Sequence, residues 1–249
     1  MSIESEKDLA GLRAAGKVVA EALAAMRSAV RPGVTTRRLD EVGASVFARH
    51  GARSAPQLAY DFPGVNCISV NDEAVHGVPS DRALAAGDLV KLDVTAELHG
   101  YMADAAITVA VGAVSEDALS LIAAAERALT RAIGVARAGV RLNEIGRAVQ
   151  SEVQRAGFFV LPQLGGHGIG RTIHEPPSVP NHYVASDETV LTDGLVITIE
   201  PIISATTSRA VGPGSDGWTI GTADQGLSAH AEHTIVVTRD APIVLTAAA

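Results

Sequence analysis

Cysteine, aromatic residues, positive charge and long apolar runs are all scarce in this 249-residue chain. Cys67 is the single cysteine, so no internal disulfide forms and nothing in the composition asks for an oxidising compartment. Four Phe, three Tyr and one Trp leave the core to Ala, Val, Leu and Ile, which makes the position of each aromatic informative. Twenty basic residues against 28 acidic ones give a formal charge of −8. That balance sets up no field that gathers polyphosphate, and nucleic acid is not expected as the primary ligand. No apolar run approaches the ~20 residues that span a bilayer. The first eight residues carry Glu4, Glu6, Lys7 and Asp8 where a signal peptide has a basic start and an apolar stretch. A cytoplasmic chain without a membrane partner is the expectation.

What is present is a globular mixture, 47% apolar and 19% charged, in a length that suits one large domain or two small ones. Leu9, Leu12, Val18, Val19, Leu23, Met26 and Val30 recur mostly at three-, four- or seven-residue spacing, which predicts a helix over 7–30 stopped by Arg31-Pro32-Gly33. A second helix is expected from a cap at Thr35 or Thr36 to His50, with Gly51 as terminator. Sliding the sequence by 106 residues aligns Arg31, Gly33, Val34, Ser45, Arg49 and Gly51 with Arg137, Gly139, Val140, Ser151, Arg155 and Gly157. This suggests one domain over 1–249 with related halves at roughly 7–111 and 116–240; two unrelated helical hairpins are the alternative. Strand patterns fall at 67–70, 89–98, 101–111, 195–200, 217–221 and 232–237, while 204–215 reads as a loop insertion. Clustered helices followed by strand meanders make the class α+β.

The sharpest local geometry surrounds His99-Gly100, a two-residue hairpin turn. If Leu98 faces Tyr101, then Asp93 faces Ala106 and Asp104 faces Thr95, which puts both aspartates on one face as diagonal neighbours. Two readings fit: solvated acids on an exposed sheet, or a partly enclosed acid pair neutralised by a divalent cation. Glu200 ends an alternating strand just before Pro201, and Glu232 shares a strand face with His230, opposite His233. Acids in such apolar strands are either ion-paired or ligands. His167 lies in the run Gly165-Gly166-His167-Gly168-Ile169-Gly170, whose glycine spacing is not a dinucleotide fingerprint. His174 opens His174-Glu175-Pro176-Pro177, and His76 sits in a polar turn between Asn71 and Pro79. Taken singly, each of these histidines reads as a satisfied structural residue before a chemical one. His50, His99 and His182 are expected at the surface.

In chain order, Asp93, Asp104, His167, Glu200 and Glu232 form an Asp-Asp-His-Glu-Glu series. With Ala15-Gly16-Lys17, the stretch Cys67 to Pro79, Lys91-Leu92-Asp93-Val94, Gly166 to Arg171, His174 to Pro177, Thr198 to Pro201, Asp216 to Thr219 and Ser228 to Thr234, the chain resembles the type I methionine aminopeptidases over nearly its whole length. The resemblance implies the pita-bread fold: two pseudo-symmetric halves with a curved antiparallel sheet covered by helices. It also implies two divalent metal ions, Co, Mn or Fe, with Asp104 and Glu232 bridging, Asp93 on one ion, and His167 and Glu200 on the other. By the same resemblance, a water or hydroxide between the ions attacks the peptide carbonyl. Glu200 is the general base, His174 stabilises the oxyanion and His76 orients the scissile amide. Phe62, Cys67, His76, His174 and Trp218, with Tyr60 beside them, would form the substrate pocket. The expected reaction removes the N-terminal methionine of nascent polypeptides at the ribosome when the second residue is small, by a monomeric enzyme.

This sequence departs from the family's pattern at Ala105-Ala106, where hydroxyl residues are usual, at His230, where Gln is usual, and at Ala231, where an aromatic is common. The 32 positions from Glu200 to Glu232 leave no space for the helical insertion of the type II enzymes. Three rivals remain: a proline-directed relative, Xaa-Pro aminopeptidase or prolidase, which usually carries a separate N-terminal domain; a non-catalytic pita-bread binding module; and an unrelated structural protein with surface carboxylates.

Overall fold

The structure is a computed structural model that describes residues 1–247. Among the described residues five helices form, four of them behind a side-chain cap. α1 (Glu6–Ala29) starts at Ser5, whose hydroxyl accepts from the Asp8 N–H. α2 (Thr36–His50) is capped by Thr35, which accepts from Arg38 N–H at 3.1 Å, and ends on Gly51 at φ 68°. The short α3 (Ala55–Tyr60) follows. α4 (Glu116–Val135), capped by Ser115, and α5 (Asn143–Arg155) form the second long pair. Gly33 and Gly139, which precede α2 and α5, take nearly the same left-handed φ, 86° and 88°.

The strands in the first part of the chain are β1 (Arg53–Ser54), β2 (Cys67–Val70), β3 (Glu73–Val75), β4 (Leu89–Leu98) and β5 (Tyr101–Ala110). Later come β6 (Phe159–Val160), β7 (Gly165–Gly168), β8 (Glu175–Pro180), β9 (Val196–Ile199) and β10 (Ile202–Ser204). β11 (Ala210–Val211), β12 (Ile220–Thr222), β13 (Ser228–His230), β14 (His233–Val236) and β15 (Ile243–Val244) complete the set. They pair antiparallel in four sheets, ordered β1-β4-β2 with β5 also on β4, β15-β14-β9-β7-β8, β13-β10-β6, and β11-β12-β3. Leu12, Val19 and Met26 of α1 share one core with Leu92, Val94, Ala103 and Ala105 of the β4–β5 hairpin. Leu121 and Ala125 of α4 and Ile145 and Val149 of α5 share another with Ile197, Ile199 and Ile235. Each long helix pair thus covers one side of its strands.

Several predicted strands are corrected. The run through Glu232 is not continuous, because β13 and β14 belong to different sheets and Ala231-Glu232 breaks between them. The matching break is Glu200-Pro201 between β9 and β10, since Ile199 pairs with His233 and Ile202 with His230. Pro201 has no N–H for the ladder. Its carbonyl accepts from Ala231 at 3.2 Å, while Glu232 N–H leaves the ladder for the Ala106 carbonyl of β5 at 2.9 Å. The strand expected over 217–221 is displaced to Ile220–Thr222, because the Asp216 carboxylate caps a turn over the N–H groups of Trp218 and Thr219, both at 2.9 Å. The stretch 204–215 is more than a loop insertion, as it carries β11, which pairs with β12. β7, rich in glycine, and β8, rich in proline, carry no strand pattern; β8 lies at a sheet edge, where proline costs no ladder bond.

Gly166 has a steric function here. A Cβ at that position would lie 2.4 Å from the Thr198 carbonyl oxygen, so glycine is what lets β7 close on β9. Gly166→Ala is expected to destabilise the fold by about 1–3 kcal/mol in urea unfolding. In contrast, Gly134→Ala in α4, with nothing within 4 Å of the added methyl, should stabilise by roughly 0.5–1 kcal/mol.

Candidate metal centre

His99 and Gly100 take positive φ, 52° and 83°, the signs of a type I′ turn, and the turn sets the register of β4 against β5. Leu98 pairs with Tyr101, Asp93 with Ala106 and Thr95 with Asp104, as the two-residue turn requires. The aspartates therefore share a face. Cys67 on β2 pairs with Asp93 from the other side.

Two fully buried threonines tie the other acids to this pair. Thr234 of β14 accepts the Asp104 N–H and donates to the Asp104 carbonyl, each at 2.8 Å. Thr198, opposite Thr234 in the β9–β14 ladder, accepts from His167 N–H and donates to Glu200 Oε1, each at 3.0 Å. His167 Nδ1 lies 2.9 Å from the Gly168 carbonyl. A carbonyl only accepts, so Nδ1 carries the proton and Nε2 presents a lone pair, 3.5 Å from Glu200 Oε1. One donor atom each from Asp104, His167 and Glu232 lie within 4.8 Å of one another. All five residues of the Asp-Asp-His-Glu-Glu series line one cavity of about 220 Å3.

The electrostatics of this cluster are unfavourable as it stands. Burial raises Asp93, Glu200 and Glu232 well above the usual carboxylate range, and the neighbouring carboxylates push each of them further. Asp104 is raised by burial to about 6, even though contacts from Thr95 and Asp93 pull the other way. Asp104 Oδ1 and Glu232 Oε1 are buried without a hydrogen-bond partner. A divalent cation answers both problems, since it binds the orphaned lone pairs and cancels the repulsion. Four carboxylates and one neutral imidazole make the lining rich in oxygen donors, the chemistry that divalent cations take. Burial lowers His167 to about 4, so its ring is neutral at pH 7 and free to ligate.

The remaining wall is apolar and aromatic. Phe62 meets Trp218 edge to face at 5.2 Å, next to Cys67 and Tyr60. Burial raises the Cys67 thiol far above its ordinary value, with Asp93 adding to the effect, so it stays protonated and soft. His76, at φ 58° just past β3, and His174 stand with accessible rings at the mouth. Desolvation there lowers both, so they serve as neutral imidazoles. Tyr60 Oη is 2.6 Å from His174 Nδ1, and the His174 ring packs against His167 at 4.2 Å.

Every site residue picked from the sequence borders this cavity: Phe62, Cys67, His76, Asp93, Asp104, His167, His174, Glu200, Trp218 and Glu232. His50 and His99 are exposed as expected, whereas His182 is half-buried with an enclosed Nδ1, because Gly146 of α5 brings that helix onto the His182 carbonyl. Sequence reasoning missed Thr198, Thr234 and Gln163. Thr198 had a signal, since it lies two residues before Glu200 on the same strand face. The hydroxyl support expected just after Asp104 comes instead from Thr95 and Thr234.

An α+β scaffold with an acid-lined cavity of this kind defines a metal-dependent hydrolase of the pita-bread class. A prolidase from Pyrococcus furiosus shares the fold at a TM-score of 0.78 and 24% identity, with 99% of this chain and 66% of that one covered. A methionine aminopeptidase from Rickettsia prowazekii superposes at a TM-score of 0.95 with 38% identity, over 99% and 100% of the two chains. Methionine aminopeptidase 2 of Bacillus subtilis is 45% identical over 248 residues, 99% of each chain. Residues 10–239 match metallopeptidase family M24, and the chain belongs to that family.

The raised carboxylates predict how stability follows pH. Their folded pKa values exceed the unfolded ones, so the unfolded chain ionises first and metal-free protein loses stability as pH rises from about 4 through the Asp104 value of about 6. Bound divalent metal removes that loss. The melting-temperature gap between metal-loaded and metal-stripped protein should therefore widen from pH 5 to pH 7.5, as followed by calorimetry; a constant gap would contradict the assignment.

Proposed function

We propose that this chain is a methionyl aminopeptidase that removes the N-terminal methionine of peptides and nascent polypeptides, with preference for a small second residue. The observation that carries the reading is one cavity with a charge-frustrated acid cluster on one wall and a soft apolar pocket on the other. Asp93, Asp104, His167, Glu200 and Glu232 would hold the divalent ions, and their four negative charges would match two dications. When bound, the ions supply a water of lowered pKa and a Lewis acid for the scissile carbonyl.

The chain's own groups do the rest. Glu200 is held on Oε1 by Thr198, which leaves carboxylate capacity to take the proton of the attacking water and return it to the leaving amine. Tyr60 Oη lies 2.6 Å from His174 Nδ1, and with the phenol as donor the His174 proton sits on Nε2, free to donate to the developing oxyanion. His76 faces the same mouth as a neutral ring that orients the scissile amide. Phe62, Cys67 and Trp218 take up the methionine thioether. A free α-amino group near Asp93 completes recognition, which restricts cleavage to chain ends.

Acidic composition with a single buried thiol suits cytoplasmic work on chains leaving the ribosome. Metal-stripped protein restored with Mn, Fe(II) or Co singly should hydrolyse a Met-Ala peptide in preference to an Ala-Pro peptide. Glu200→Gln should lower kcat by about 10²–10⁴-fold with the fold retained. Preference for Ala-Pro would move the chain to the proline-directed enzymes, and inactivity with every ion would make it a binding module.

A further inference from the structure

His230 is unused by the five-residue centre, yet the fold fixes it beside that centre. It lies on β13 opposite Ile202 of β10. Thr108 of β5 accepts the His230 N–H and donates to the His230 carbonyl, each at 2.8 Å, so the backbone cannot turn the side chain away. The residue is 2% exposed, and neither ring nitrogen has a hydrogen-bond partner among the described residues. Nε2 lies 3.6 Å from Glu200 Oε2 and 3.7 Å from Glu232 Oε2, almost equidistant from the two glutamates at the matched strand breaks. Buried polar atoms are nearly always paired, so a ring held this way requires a partner. Either gap becomes a hydrogen bond on closing by roughly half an ångström.

From this geometry we infer that His230 is a positioning residue: its ring donates Nε2–H to the carboxylates of Glu200 and Glu232 and fixes the orientation in which they would hold the ions. His230 does not border the cavity that the five acid and histidine donors share; it borders a second one of about 260 Å3 with Ala106 and Ala231, and Glu232 faces both. That placement fits a group acting through the two glutamates rather than on the ions. Partners of this kind typically change metal affinity or turnover by about 10–100-fold. The inference rests on the metallopeptidase reading above.

The test compares full-length wild type with His230→Gln and His230→Met. The two replacements share a shape, and only Gln carries an N–H donor. After metal stripping, each protein is titrated with Mn(II) and Co(II), melted, and assayed on a Met-Ala peptide. His230→Met should weaken ion binding and lower kcat by about 10–100-fold with little change in KM, and His230→Gln should recover most of both. The Co(II) absorption spectrum should be the same in wild type and His230→Gln. In zinc-loaded wild type with 15N-labelled histidine, which needs no variant, the His230 Nε2 should show a directly bonded proton. Wild-type affinity and kcat in a folded His230→Met protein would overturn the inference. So would a metal-bound Nε2 with a changed Co(II) spectrum, which would make the ring a direct ligand. If wild type itself takes up no ion and cleaves nothing, the metallopeptidase reading falls; if wild type works and the variants match it, only the role of His230 falls.

Discussion

Everything in this molecule turns on four carboxylates enclosed together where none has a cationic side chain as partner. Enclosure alone penalises each negative charge, and proximity penalises them jointly. The nearest cation on the same strand face, Lys91, does not relieve them. Although fully buried and two residues from Asp93, it donates to the Asn71 carbonyl at 2.6 Å and lies 3.5 Å from the Ser228 carbonyl. Burial lowers its pKa to about 7. Its ammonium therefore links the turn before β3 to β13 and leaves the acids uncompensated. A scaffold that withholds an available lysine from four acids is built for a cation from outside.

The strand breaks convert that electrostatic demand into geometry. A regular β9–β14 ladder continued through Glu200 and Glu232 would commit those backbones to pairing. Instead both strands change sheets at the same level: Pro201 cannot donate, and Glu232 N–H reaches across to Ala106. This places the two glutamates beside the aspartates of the β4–β5 hairpin. Thr198 and Thr234 then lock the junction, each bonded to groups on neighbouring elements. Buried hydroxyls satisfied on both sides are rigid parts, and a centre that must hold ions needs rigidity in what surrounds its ligands.

How much was readable in advance follows from the range of the interactions. The aspartate pair was legible because a two-residue turn sets a register, and register sets faces; Asp93 and Asp104 needed only the local sequence. α1 and α2 were legible for the same reason, since caps and periodicity act over a few residues. The break at Ala231-Glu232 was not, because it depends on a carbonyl 126 positions away, from Ala106 to Glu232. β7 and β8 were hidden by their glycines and prolines, which are strand-poor by propensity and are tolerated only because β9 and the sheet edge accept them. The support of His174 by Tyr60 spans 114 positions and leaves no trace in spacing.

The same distinction separates the chemistry of the two walls. The acid wall is specified twice, by local register and by long-range locking, so its donors hold their places without substrate. The apolar wall depends on single contacts, Phe62 against Trp218 and Tyr60 against His174, between segments joined by loops. An edge-to-face aromatic pair contributes about 0.5–1.5 kcal/mol beyond its burial, whereas removing one of the four acids relieves repulsion in the metal-free protein but takes a donor from the centre. Hydrolysis chemistry thus sits on the part of the fold least free to change. Side-chain selection sits on other segments, Phe62, Cys67 and Trp218, that supply none of the five donors, and that division lets one scaffold keep its reaction while its substrate preference changes.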